Sequence, residues 1–94
     1  MPELIELTLI GKPGCHLCEA AEAAIDRVLF GFRAINPKLT VSLQHQNILD
    51  DDALEARYRE EIPVLLINGK VHNYWRIDEA RLREALDQLA KSAN

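Results

Sequence analysis

Two cysteines separated by two residues, in Cys15-His16-Leu17-Cys18, are the side chains of this sequence best suited to chemistry. A C-x-x-C pair serves a dithiol that exchanges with disulfides, half of a zinc site, or half of an iron–sulfur site. Its surroundings bear on the choice. Cys15 follows an extended apolar run and the turn residues Gly11-Lys12-Pro13-Gly14, and it opens a long stretch of helical periodicity. A sulfur placed there lies over the free N–H groups of a helix's first turn, where negative charge is stabilised. Cys18, one turn on, comes to the same edge and is expected to lie deeper, where it can attack a mixed disulfide formed at Cys15.

The gain from such a position is partly hidden. An ordinary thiol with a pKa of about 8.5 is only about 3% thiolate at pH 7, and one at about 7 is roughly half ionised. Nucleophilicity falls with pKa at a slope of about 0.5, so most of that gain cancels and about threefold survives. The larger effect is on departure, because a stabilised thiolate is a good leaving group and its mixed disulfide resolves quickly. The metal reading needs two further ligands. His16, His45 and His72 are the only candidates beyond carboxylates, and none stands at a recognisable zinc spacing from the pair. No metal-ligating residue is assigned, and a zinc or iron–sulfur carrier stays as the alternative.

The elements that must position the pair are legible as hydrophobic periods. Leu4 to Ile10 reads as a strand ending at Gly11. Leu17, Ala21, Ala24/Ile25, Val28/Leu29 and Phe32 recur at three- and four-residue steps, the apolar face of a helix that fails near Asn36-Pro37. Leu39, Val41 and Leu43 alternate with polar residues as a half-buried strand. Asp50-Asp51-Asp52 then opens a shorter helix carrying Leu54 and Tyr58, the carboxylates suiting the positive end of its dipole. Val64 to Ile67 is an apolar run expected to be covered on both faces. Asn68-Gly69 is a hairpin turn, Lys70 to Tyr74 the return strand, and Asp78 the cap of a last helix with Leu82, Ala85/Leu86 and Leu89 inward. The order is βαβαββα, with a right-handed crossover in the first half.

Composition sets outer bounds. Ninety-four residues fit one domain, and 48% hydrophobic with 28% charged residues is ordinary for a globular chain. A net charge of −4 with scattered basic residues argues against a nucleic-acid partner. The apolar runs are far short of the roughly 20 residues of a membrane-spanning helix. Met1-Pro2-Glu3 lacks the basic flank and apolar core of a signal peptide, so a cytoplasmic, reducing setting is expected, where a C-x-x-C pair is redox-active or metal-binding rather than a permanent staple.

Taken together, Lys12-Pro13-Gly14-Cys15-His16-Leu17-Cys18 after a strand, Ile62-Pro63 before a buried strand, and the Asn68-Gly69 hairpin resemble a glutaredoxin-like protein of the thioredoxin fold. The resemblance implies an α/β fold, a four-stranded mixed sheet flanked by three helices, and a cis Ile62-Pro63 peptide opposite the dithiol. It implies a thiol–disulfide oxidoreductase with Cys15 attacking and Cys18 resolving. It also implies a substrate site in which Ile62 presents its backbone beside Pro63 and Lys12 meets a thiolate or a glutathione carboxylate. His16, between the cysteines, joins this set as a thiolate-stabilising cation. Glutaredoxins carry a Gly-Gly pair before the acidic start of the last helix; here Trp75-Arg76 precede Asp78. Arg76 is then the candidate for a carboxylate contact, Asp78 fits the helix-start position, and Trp75 is expected as a partly buried packing residue. No tightly bound cofactor is expected. Glutathione is the expected co-substrate, the partner a disulfide-containing protein or glutathione mixed disulfide, and the chain a monomer. A redox-inert binding module on the same fold is the other alternative.

Overall fold

The computed structural model describes residues 4–92. Its elements are β1 (Leu4–Gly11), α1 (His16–Ile35), β2 (Thr40–Asn47), a 3-10 turn (Ile48–Asp50), α2 (Asp52–Tyr58), β3 (Val64–Ile67), β4 (Lys70–Tyr74) and α3 (Glu79–Ser92). Met1-Pro2-Glu3, on which the expectation of no leader rests, lie outside the described residues. The strands form one sheet in the order β2-β1-β3-β4. β1 runs parallel to β2, from Leu4 opposite Thr40 to Gly11 opposite Asn47, which requires the crossover that α1 supplies. β1 with β3 and β3 with β4 are antiparallel. This is the four-stranded mixed sheet with three helices that the resemblance implies.

The alternation of the central strands divides the core in two. Ile5, Leu7 and Leu9 of β1 and Leu65 and Ile67 of β3 face one side, under α1 and α3. There Ile25, Leu29, Phe32, Leu82 and Leu86 are each at most 1% exposed. Ile10 and Val64 face the other side and pack with Ile48, Tyr58, Ile62 and Cys18. The dithiol belongs to this second cluster, with Cys18 inside it and Cys15 packed against it.

Local signals account for most boundaries. α1 ends where Asn36 folds back, its backbone N–H and its Nδ2 both donating to the Phe32 carbonyl at 2.9 and 3.1 Å. Asn68 and Gly69 take φ of +50° and +84°, as a tight hairpin requires. Asn68 also donates its N–H to Glu6 O at 2.7 Å and accepts the Glu6 N–H at 2.9 Å. The acidic run is divided more finely than its sequence suggests. Asp50 closes the 3-10 turn, Asp51 caps α2 by accepting from Ala53 N–H at 2.8 Å, and Asp52 is the first helical residue. Leu17 departs from the expected core face and is 43% exposed, lining a groove with Trp75 and Ile77, whereas Cys18 beside it is buried.

Arg27 ties α1 to α3, donating to both Glu79 carboxylate oxygens at 3.3 and 2.9 Å and holding that carboxyl below its ordinary range. On edge strand β4, His72 Nε2 is buried without a hydrogen-bond partner. Burial first, then repulsion from Arg81, pushes the His72 pKa below 6.5, against the attraction of Asp78. The unfolded chain then takes up this proton before the folded one does. Folding stability from this group is full above about pH 6.5, falls as the pH drops through that value, and levels off below the folded pKa. His72→Leu is expected to remove this component, so its urea midpoint falls less than the wild type's between pH 7.5 and 5.5. Equal falls in the two proteins would contradict the assignment.

Candidate active site at the head of the long helix

Cys15 is the N-cap of α1, with extended backbone at φ −98° and ψ 112°. An N-cap side chain is placed to accept from the first-turn N–H groups, and the Cys15 sulfur does so, taking the Cys18 N–H at 3.2 Å. The two cysteines are joined as a disulfide with Cα atoms 5.2 Å apart. Cys15 is partly exposed, whereas Cys18 is only 8% exposed. Attack from solvent therefore falls to Cys15, and Cys18 is reached through it.

The other expected site residues separate into groups. Ile62 is buried in the cluster that contains Cys18, with Cys15 packed against it, and the Ile62-Pro63 peptide is cis. Lys12 is exposed and lines a cleft of about 360 Å³ together with Gly11, Cys18, Glu22 and His45. Within that cleft His45 Nε2 lies 3.5 Å from Glu22 Oε1. The His16 side chain is 99% exposed and points away into solvent, its nearest charge being Glu19 at 3.9 Å. Arg76 is exposed and lines a different groove, between Leu17 and Trp75. Asp78 caps α3, its Oδ1 accepting the Arg81 N–H at 3.1 Å. The fold thus brings Cys15, Cys18 and Ile62 together, sets Lys12 along a cleft with Cys18, and gives Asp78 a structural task. Among the described residues no three His, Cys, Asp or Glu side chains converge as a metal donor set.

Two residues matter more than their sequence signals indicate. Trp75, expected to be partly buried, is 55% exposed and has φ +62°. Gly11 is the second. A Cβ built there would lie 2.8 Å from Cys18 Sγ and 3.3 Å from Cys18 Cβ. Its φ is not left-handed, so the reason for glycine is the close approach of the resolving sulfur. A glycine at a strand end can mark such an approach, and that signal was present in the sequence.

Gly11→Ala must displace either the Cys18 sulfur or the end of β1. The expected outcome is a loss of about 1–3 kcal/mol of stability from overpacking, together with a weaker Cys15–Cys18 disulfide in glutathione equilibrium. Unchanged values of both would show that the sulfur moves aside freely.

Comparison with known proteins agrees with this geometry. Residues 6–87 match the model of the glutaredoxin-like domain family (DUF836). The chain is 33% identical to protein XcR50 from X. campestris, whose X-ray structure superposes with a TM-score of 0.67 over 87% of this chain and 96% of that one. It is 29% identical over 83 residues to the uncharacterized protein Rv0508 of Mycobacterium tuberculosis, covering 83% of this chain and 78% of the relative. Chloroplastic thioredoxin z, at 12% identity, shares the fold with a TM-score of 0.66 over 95% of this chain and 80% of its own. With its dithiol, cis-proline loop and sheet order in place, the chain belongs to the glutaredoxin-like family of the thioredoxin fold.

Proposed function

We propose that the protein is a dithiol–disulfide oxidoreductase. The observation that carries this reading is the Cys15 sulfur seated as the N-cap of α1, accepting the Cys18 N–H at 3.2 Å. A donor at that distance, reinforced by the partial positive charge of the helix N-terminus, favours thiolate over thiol.

In the reducing direction the Cys15 thiolate attacks one sulfur of a substrate disulfide. A Cys15–substrate disulfide forms, and the other substrate sulfur leaves as a thiolate that takes a proton from water. Cys18, having lost its proton, then attacks the Cys15 sulfur. The second substrate thiolate departs, and the Cys15–Cys18 disulfide forms. Two electrons have passed from the protein to the substrate. The low exposure of Cys18 supports this order, since it keeps external disulfides off the resolving sulfur. Two molecules of glutathione, or a dithiol reductase, return the pair to its reduced form in a reducing compartment such as the cytoplasm. Lys12, exposed and lining a cleft with Cys18, would attract a carboxylate of glutathione or of a protein substrate.

Cys15→Ser is expected to reduce disulfide turnover to the uncatalysed rate. Cys18→Ser is expected to accumulate the Cys15 mixed disulfide, visible by mass spectrometry as one added substrate thiol. Unaltered turnover in Cys15→Ser protein would refute the reading.

A further inference from the structure

Ile25, Val28, Leu29 and Phe32 mark the face that α1 turns to the core. With about 100° of rotation per residue, Phe30 falls on the opposite side of the helix. There it is 81% exposed, more than any other large apolar side chain among the described residues. Helix formation does not account for it, since an aromatic ring loses rotamer freedom in a helix where alanine loses none.

Lone exposed apolar residues are ordinary on protein surfaces, so the surroundings of Phe30 decide its meaning. Beside the ring is a hollow of about 490 Å³, lined by Asp26, Arg33 and Ala34. Asp26 lies one turn before Phe30 and Arg33 nearly one turn after it, and both are exposed. Among the described residues neither has an ion-pair partner. Arg33 gives one N–H to Val41 O at 2.7 Å and has donors to spare. The outer face of α1 thus carries a ring, a hollow next to it, an unpaired anion on one side and an unpaired cation on the other.

Turned end for end, this face matches itself. Asp26 of one copy comes opposite Arg33 of the other, twice, and the midpoint between the two residues falls within one residue of Phe30. Such self-complementarity is what a two-fold interface requires.

We propose that the outer face of α1 is a homodimer interface, in which each Phe30 ring enters the hollow on the other copy and two Asp26–Arg33 pairs close the rim. Cys15 lies roughly 20 Å along the helix axis from Phe30. It stays open in both subunits, so the assembly carries two separate dithiols. One helix face is a small interface, so association is weak, and the monomer expected from the sequence is the dilute form.

The test is sedimentation equilibrium of the full chain from about 10 μM to about 1 mM, the range of weak association. The weight-average mass is expected to rise above the 10.6 kDa of one chain. Phe30→Ser changes an exposed side chain on which folding depends little, and it is expected to raise the dissociation constant at least about tenfold. Asp26→Arg and Arg33→Glu each set like charges across the contact, and each protein alone is expected to associate about tenfold more weakly. Mixing these two variants restores opposite charges across the interface, so dimers are expected to return in the mixture. Their return would also show that both variants are folded. Wild-type protein that stays monomeric throughout overturns the proposal. So does a dimer that Phe30→Ser leaves unchanged, or a mixture no more associated than its components.

Discussion

The contact between the Cys15 sulfur and the N-terminus of α1 is the interaction on which the functional account depends. Four N–H groups at a helix start have no partner within the helix. Filling the cap position with cysteine turns that deficit into a site for a negatively charged sulfur. Twenty residues of α1 align their peptide dipoles behind it, although the effect is confined to the first turn and depends mainly on the nearest N–H groups. The rest of the fold serves to keep this helix end at the edge of the sheet. Phe32, Leu29 and Ile25, fully buried against β1 and β3, fix the body of α1, while Cys15 at its start is partly exposed.

The second cysteine is governed by packing rather than charge. Cys18 is enclosed by Ile10, Ile62 and Val64, and the missing side chain of Gly11 leaves the space its sulfur occupies. The two thiols are thus differentiated by position alone: one is capped by backbone donors at the surface, and the other is shielded in an apolar cluster. Such asymmetry is what ordered exchange needs, with capture at one sulfur and displacement by the other. The loop that ends in Pro63 completes the enclosure, and Trp75, at the end of the neighbouring strand β4, hydrogen-bonds to it.

Much of this was legible in the sequence because it is local. The N-cap position of Cys15, the hairpin at Asn68-Gly69, the end of α1 at Asn36 and the capping role of Asp78 each follow from residue type and immediate neighbours. The cis Ile62-Pro63 peptide was not legible in that way, since most such bonds are trans, and it came only from resemblance. Three features were missed because they depend on how separate elements come together in the fold. Leu17 fits the helical period, yet it is 43% exposed and lines a groove with Trp75 and Ile77. Gly11 reads as a turn residue until Cys18 is seen beside it. Trp75 reads as a packing residue until its partners, Glu60 and Pro63, are found 15 and 12 positions earlier. His16 reads as a candidate cation for the thiolate, but the helix turns its ring into solvent.

The central claim concerns the ionisation of one sulfur, and the most direct measurement is the pH dependence of alkylation in the fully reduced protein, with the modified cysteine located by mass spectrometry. The account predicts that Cys15 reacts first and that its rate rises with a pKa clearly below the free-cysteine value of about 8.5. A Cys15 titration at or above that value, or modification of Cys18 ahead of Cys15, would contradict it.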